Sequence, residues 1–141
     1  MRGTRPYRHA IQLLQQAGLR PTRQRLALAK LLFDGTDRHV SAEHLHTEAI
    51  NADIRVSLAT IYNTLHQFTS AGLLREVVVE AGRSYFDTNT SDHHHFLFEN
   101  SGTLKDIPSE SILLGQLPPP PEGSRVARVD VIIRLEHEPK A

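Results

Sequence analysis

The sequence contains no cysteine. A disulfide bond, a thiol nucleophile and a thiolate metal site are therefore excluded, and any bound metal has to take nitrogen or oxygen ligands. Apolar runs are only a few residues long, so no segment can cross a bilayer as a helix. The N-terminal arginines are not followed by an apolar stretch of signal-peptide length, and we expect a cytoplasmic protein.

Acidic residues are missing from the first part of the chain. Residues 1–30 contain no Asp or Glu, so all 16 acidic residues follow them. The basic residues of this segment are Arg2, Arg5, Arg8, Arg20, Arg23, Arg25 and Lys30. Although the formal net charge of the chain is zero, this asymmetry favours a surface for a polyanion at the N-terminal end. A solvated basic arm would produce the same pattern.

Four amphipathic helices are predicted in the first half. Their segments are "YRHAIQLLQQAG", "RPTRQRLALAKLLFDG", "VSAEHLHTEAINAD" and "VSLATIYNTLHQFTSAG". Thr22, Ser41 and Ser57 are the expected N-caps of the last three. The fourth segment is the clearest, because four apolar residues recur in it at helical spacing: Leu58, Ile61, Leu65 and Phe68.

The periodicity changes to that of strands after residue 72. "LLREVVVE" and "RSYFDTN" predict a hairpin, and "HHHFLFE" and "GTLKDI" predict two further strands. "SESILLGQL" is a candidate short helix capped by Ser109. "RVARVDVIIRLE" predicts a final strand with Val129, Val131 and Ile133 on one face.

This order of elements is that of a winged helix-turn-helix. We therefore predict an α+β fold, with a winged helix-turn-helix DNA-binding domain over residues 1–88 and a small α/β dimerisation and sensing domain over residues 89–141. The second domain is too small to be stable alone, and its apolar strands favour pairing with a second copy of the chain.

The fourth helix is the one expected to enter the major groove. On its outer face Asn63 can pair with an adenine edge, the Thr60 methyl can meet a thymine methyl, and the Tyr62 hydroxyl can reach a phosphate. The predicted DNA-binding residues fall into two sets. The predicted phosphate contacts are Arg20, Arg23, Arg25 and Arg83. The residues predicted to read or position the DNA are Ser57, Thr60, Tyr62 and Asn63. A merely solvated helix face is the alternative interpretation.

Five segments of the chain, in the right order, carry a resemblance to a known family: "GLRPTRQRLALAKLL", "HVSAEHLH", "SLATIYNTLHQFTSAGLLRE", "GRSYFD" and "HHHFLFENSG". They resemble the ferric uptake regulator (Fur) family over most of residues 10–107. The resemblance implies a dimeric transcription regulator that responds to metal or haem, with an N-terminal winged helix and a C-terminal α/β dimerisation domain.

Two departures from the family pattern resemble its iron response regulator (Irr) branch from rhizobia. Phe98 and Ser101 stand where many members carry a Cys-x-x-Cys pair, so that structural zinc site is excluded. Asn63 stands where ferric uptake regulators commonly have Arg. The Irr resemblance implies activity when iron is scarce, and haem as the sensed ligand. Because the chain lacks the Cys-Pro haem motif of some members, any haem has to use histidine.

The family pattern also implies a metal-ligand set, carried over by position. Its members are His39, Asp87, His93, His95 and Asp106. Side chains alternate along a strand, so His93 and His95 share one face and His94 points to the other with Phe96 and Phe98. Imidazole and carboxylate donors suit Zn²⁺, Mn²⁺ or Fe²⁺ and do not choose among them.

Haem is the other ligand that the histidines can hold. His93, His94 and His95 are the candidate haem-binding residues, since neutral imidazole is an ordinary axial ligand. Exposed histidines without any ligand are the third interpretation. The sequence leaves open whether His44, His46 or His66 binds a second haem.

We therefore predict a homodimeric, iron-responsive transcription regulator. It is expected to bind an AT-rich inverted repeat of double-stranded DNA under low iron and to be released by haem. A Fur-type repressor activated by Mn²⁺ or Fe²⁺ is the alternative within the family. The alternative of another class is a metal-dependent hydrolase, which is disfavoured because no nucleophile or general base accompanies the His and Asp residues.

Overall fold

A computed structural model of the chain describes residues 7–139. Two members of the predicted basic N-terminal surface, Arg2 and Arg5, lie outside the described residues. The chain divides into two compact units, of which the first ends at Thr90 and the second begins at Ser91. Among residues 7–139, no helix is both long enough and apolar enough to cross a membrane.

The first unit contains the four predicted helices. They are α1 (Arg8–Gln16), α2 (Arg23–Phe33), α3 (Ala42–Asn51) and α4 (Leu58–Ser70). All three predicted N-caps are confirmed, because the hydroxyls of Thr22, Ser41 and Ser57 each accept a hydrogen bond from the backbone N–H three residues later. These caps satisfy donors that the first helical turn leaves without partners, and so they define where α2, α3 and α4 begin.

The apolar stripe of α4 lies in the core of this unit. Ile61, Leu65 and Phe68 are fully buried, and the ring of Phe68 lies 6.2 Å from that of Phe33 on α2. Residues from the other helices surround them: Leu14, Leu28, Leu32 and Leu45. Burial of this stripe against three other helices holds α4 and determines which of its residues face solvent.

A small antiparallel sheet completes the first unit. Its strands are β1 (His39–Val40), β2 (Arg75–Glu80) and β3 (Arg83–Asp87), in the order β1-β3-β2. Strands β2 and β3 form the predicted hairpin. In the register of this sheet Asp87 pairs with His39 on one side and with Arg75 on the other.

The second unit is built on one three-stranded sheet. Its strands are β4 (His93–Phe98), β5 (Thr103–Pro108) and β6 (Ile132–Leu135). Strand β4 is central, antiparallel to β5 and parallel to β6. Leu97 pairs with Leu104 across β4 and β5, and both side chains are buried. The histidine triplet therefore begins the central strand of this unit.

Two expectations for the second unit are corrected. The helix predicted from Ser109 is a single 3₁₀ turn, Ser109–Ser111, without a side-chain cap. Leu113 is 95% exposed, so the apolar side of such a helix has no described surface that would stabilise it beyond one turn. The final strand is also shorter than predicted, because β6 pairs with β4 only from Ile132 onward and Val129 precedes the pairing. The described part of this unit is therefore β-rich.

Candidate nucleic-acid interface and metal-ligand groups

The outer face of α4 carries Thr60 and Asn63, which are predicted to read bases, and Tyr62, which is predicted to reach a phosphate; Gln67 lies on the same face. Asn63 and Gln67 are exposed, Tyr62 is 37% exposed, and Thr60 is partly exposed. Because the apolar stripe of α4 is buried, these polar side chains are the ones that the helix presents to a ligand. A surface cleft of about 510 Å³ lies along the same face, lined by Arg20, Thr22, Gln24, Arg25, Thr60, Asn63, Thr64 and Gln67.

Arg25 has a structural role as well as a charge at this surface. Its Nε and Nη2 atoms both donate to Oε1 of Gln67, at 3.2 and 3.1 Å, and its Nη1 donates to the backbone oxygen of Arg20 at 2.9 Å. The guanidinium thus joins α4 to the segment that precedes α2. The other two predicted phosphate contacts of this region, Arg20 and Arg23, have exposed side chains.

Glu43 on α3 is a member of this surface that sequence patterns did not identify. The Tyr62 hydroxyl donates a hydrogen bond of 2.6 Å to Oε2 of Glu43. This bond holds the pKa of Glu43 below its usual value and raises the pKa of Tyr62, since it stabilises the carboxylate and the protonated phenol. The hydroxyl predicted to reach a phosphate therefore has a partner within the chain.

Arg83 lies at the start of β3, beside the hairpin turn. It donates to the Glu80 carboxylate at 3.0 Å and to the Tyr85 hydroxyl at 3.2 Å. The Glu80 carboxylate, followed by the Tyr85 hydroxyl, raises the pKa of Arg83. The charge predicted to meet a phosphate is thus partly compensated by a neighbouring acid.

The first group of predicted metal ligands lies at the end of the sheet in the first unit. Nε2 of His39 is 3.2 Å from Oδ2 of Asp87, which is buried, and the backbone N–H of Asn89 donates to Oδ1 at 2.9 Å. Arg75, also buried, is the residue directly opposite Asp87 on β2. Residues directly opposite each other share a face of the sheet, so the side chains of His39, Asp87 and Arg75 leave the sheet on the same face.

The second group lies in the second unit, on β4 and β5. Nε2 of His93 and Nε2 of His95 are each 3.4 Å from the same atom, Oδ1 of Asp106. The two imidazole centroids are 4.6 Å apart, as the alternation of side chains along a strand predicts. His95 and Asp106 are direct partners in the β4–β5 ladder. One carboxylate oxygen and two imidazole nitrogens therefore converge.

The backbone decides which nitrogen of His93 carries the proton. Its Nδ1 lies 2.6 Å from the carbonyl oxygen of Ser91. A carbonyl oxygen can only accept, so Nδ1 is the donor and Nε2, which faces Asp106, carries the lone pair in the neutral ring. A metal-ligating histidine commonly has this arrangement, with the remote N–H bound to a backbone carbonyl.

The remaining histidines of the helices are separate from these groups. His44 lies 3.2 Å from Glu48, one turn further along α3, and Nε2 of His46 donates to the carbonyl of Val56 at 3.1 Å. His66 is exposed on α4, with its ring 5.6 Å from that of Phe86. Each has its own surroundings, and the three do not form a ligand cluster among the described residues.

Comparisons with a family model, with known sequences and with solved structures all match this chain to ferric uptake regulators. The model of the "Ferric uptake regulator family" matches residues 16–119. A ferric uptake regulation protein of Klebsiella pneumoniae is 35% identical over 104 residues, which are 73% of this chain and 67% of that protein. The solved structure of the Vibrio cholerae ferric uptake regulator is 25% identical, with a TM-score of 0.71 over 90% of this chain and 98% of that one. The regulator of Pseudomonas aeruginosa with manganese is 23% identical, with a TM-score of 0.69 over 92% and 98%.

Proposed function

Because the chain belongs to the ferric uptake regulator family, we propose that it is a transcription regulator whose affinity for operator DNA depends on a divalent metal ion. Proteins of this family are transcription regulators, so the chain is not an enzyme and the hydrolase alternative is rejected. They bind DNA as dimers. The regulator acts in the cytoplasm, on an operator that is an AT-rich inverted repeat, since a two-fold dimer reads two equivalent half-sites.

The DNA surface in this proposal is the outer face of α4 with its basic surroundings. Asn63 and Thr60 read base edges. Arg20, Arg23 and Arg83 contact phosphates, and Arg25 positions α4 through Gln67 while contributing its charge. Ser57 caps α4 and lies at the helix end nearest the bases. The buried stripe of α4 supports this assignment, because it leaves the polar face of the helix available to the major groove.

The metal site in this proposal consists of the five donors that the sequence predicts: His39, Asp87, His93, His95 and Asp106. The observation that carries it is the convergence of His93 and His95 on one oxygen of Asp106. Nε2 of His93 carries a lone pair and faces a carboxylate oxygen at 3.4 Å, an arrangement that a cation or an added proton stabilises. Asp87 and His93 are six positions apart, and a segment of that length spans at most about 20 Å.

A metal ion bound by this set supplies a positive charge that holds imidazoles and carboxylates together. Two of the proposed ligands precede Thr90 and three follow it. Metal binding controls DNA binding only if the ion binds the DNA-competent state of the protein more tightly than its other states. The donors suit Zn²⁺, Mn²⁺ or Fe²⁺, and the absence of thiolate ligands disfavours none of these.

The test is operator binding by metal-free protein, measured by fluorescence anisotropy before and after addition of Mn²⁺ or Zn²⁺. We expect the affinity for an inverted-repeat duplex to rise at least about tenfold with metal, and that rise to vanish with excess chelator. The same titration on a scrambled duplex at matched salt is the control, because non-specific binding depends on salt. Equal affinity with and without metal would contradict the proposal.

Haem release remains a second proposal, favoured by the histidine triplet and the absence of cysteine. In it the protein binds its operator under low iron, as the Irr resemblance implies, and haem at His93, His94 or His95 weakens the binding. All three side chains are buried on the central strand, the most exposed at 8%, so a porphyrin has to displace part of the sheet to reach them. Adding haemin to the operator complex separates the proposals, because metal activation alone predicts no release.

Glu43 is expected to moderate DNA binding. We predict that Glu43→Gln strengthens operator binding about two- to fivefold, the size of one exposed charge–charge interaction, because it removes a negative charge beside α4. The amide oxygen still accepts from Tyr62. Anisotropy at a fixed salt concentration measures the change. The effect should persist at every pH above the lowered pKa of Glu43 and disappear below it, where the wild-type carboxyl group is itself neutral.

The control for this prediction is Glu122→Gln, the same chemical change in the exposed segment that follows the four prolines. It should leave the affinity unaltered. Weaker binding by Glu43→Gln would mean that the carboxylate helps Tyr62 reach the DNA, and would contradict the expected role.

A further inference from the structure

His94 has a different backbone partner from its neighbours. Its Nδ1 lies 3.0 Å from the backbone nitrogen of Val131. Val131 has an N–H to donate, so Nδ1 of His94 is the acceptor and must carry a lone pair. The neutral ring therefore has its proton on Nε2. This is the opposite tautomer to that of His93, whose Nδ1 donates to a carbonyl.

The bond from Val131 to His94 completes the start of the β4–β6 ladder. The carbonyl of Val131 accepts from the backbone N–H of His95 at 3.1 Å, and the regular pairing begins at the next residue, Ile132. The side chain of His94 thus binds the N–H immediately before the first strand residue. Strand β6 has only four residues, and this bond adds a side-chain contact at the end where its pairing with β4 begins.

The segment attached at this point has little other structure. Between the 3₁₀ turn and Val131 the chain contains neither helix nor strand. Four of its apolar side chains are exposed, Leu113 almost completely and the others by about half: Leu114, Leu117 and Val126. The His94–Val131 bond is therefore where this long irregular segment joins the sheet.

Ligation by His94 is incompatible with this bond. If a metal or haem iron takes Nε2 of the neutral ring, the proton has to move to Nδ1, and two N–H donors then face each other. If the ion takes Nδ1, it displaces Val131 directly. The His94–Val131 bond could persist in a metal complex only if the ring lost its remaining proton and became an imidazolate.

We propose that His94 is the anchor of β6 and not a resident ligand, and that an iron or other metal ion which takes His94 must release the start of β6. The histidine triplet is then divided by role: His93 and His95 are donors, and His94 holds the strand. The release of β6 on iron binding rests on the haem alternative above. The role of His94 as the anchor of β6 does not depend on that alternative.

Two substitutions in the full chain, free of metal and haem, test the anchor. Asn places its Oδ1 where His has Nδ1, whereas Gln places its side-chain oxygen near the position of Nε2. We expect His94→Asn to keep the amide exchange protection of Val131 and Ile132 within about threefold of wild type. We expect His94→Gln to lower it at least about tenfold, because the partly buried Val131 N–H loses its acceptor. Equal amide exchange protection of Val131 in His94→Asn and His94→Gln would overturn the proposal that His94 anchors β6.

Addition of haemin then tests whether ligation by His94 releases the start of β6. If the Soret shift of the wild type is lost in His94→Asn, haem uses His94, and the protection of Val131 must fall in the haem complex. Persistent protection in that case would overturn the proposal. A Soret shift that survives in His94→Asn supports His94 as an anchor that haem leaves in place. No shift in the wild type would sink the haem alternative, while the anchor would still stand or fall on the Asn and Gln comparison.

Discussion

Replacing His95 with alanine is expected to lower the affinity for Mn²⁺ or Zn²⁺ by more than about 100-fold and to abolish metal-dependent operator binding. Loss of a group that only supports a ligand commonly costs 10–100-fold, and loss of a ligand should cost more. His95 is 2% exposed, and its Nε2 lies 3.4 Å from Oδ1 of Asp106.

Competition with a chromophoric chelator measures this affinity and the number of ions bound per chain. His137→Ala is the matched control, since His137 is exposed near the C-terminus and outside the proposed ligand set. It should leave affinity and stoichiometry unaltered. An unaltered affinity in His95→Ala would remove His95 from the ligand set and with it the proposed metal site.

The same assay decides whether the five donors form one site. If they do, the wild type binds one ion per chain, and His39→Ala and His95→Ala each weaken the binding of that ion. If His39→Ala instead leaves a tightly bound ion, His39 is not a ligand of that ion, and the five donors do not form one site.

Replacing Phe68 with alanine is expected to destabilise the DNA-binding unit by about 3–5 kcal/mol, the usual cost of deleting a fully buried aromatic ring. Phe68 has no exposed surface and packs beside Phe33. A loss of this size is a large fraction of the stability of a small domain. We therefore expect operator binding to fail at temperatures where the wild type still binds, although no DNA-contacting residue is altered.

Chemical denaturation followed by circular dichroism at 222 nm measures this change. The control is Tyr62→Ala on the same helix, where the ring is 37% exposed and the loss should stay below about 1 kcal/mol. A loss of that small size in Phe68→Ala would mean that the core closes over the missing ring, and that α4 is held mainly by other contacts.

Local features were predicted well from the sequence because their causes are local. The hydroxyls of Thr22, Ser41 and Ser57 start helices by binding an N–H only three residues away. The apolar stripe of α4 and the shared face of His93 and His95 follow from the 3.6-residue and two-residue periods of helix and strand. The predicted α+β fold is confirmed, because the described residues form four α-helices and two three-stranded sheets.

The two predictions that differ from the structure concern the segment after residue 108. "SESILLGQL" has helical spacing, but periodicity stabilises a helix only when its apolar side is buried. "RVARVDVIIRLE" has strand-forming residues throughout, but only the part that lies beside β4 can pair. In both segments the decisive factor is a neighbouring surface, which no local pattern contains.

The sequence by itself determined that this protein has no thiolate chemistry, that α4 has one apolar and one polar face, and that His93 and His95 point together. Only the tertiary structure decided that Arg25 binds Gln67, that Tyr62 binds Glu43, that Arg75 lies opposite Asp87, and that His94 accepts from Val131. Each of these pairs brings together residues from separate segments of the chain. The three identical histidines show the reason: a side chain has a fixed chemistry in the sequence, but the partner brought to it by folding decides which of its atoms donates, which accepts, and which can bind a metal.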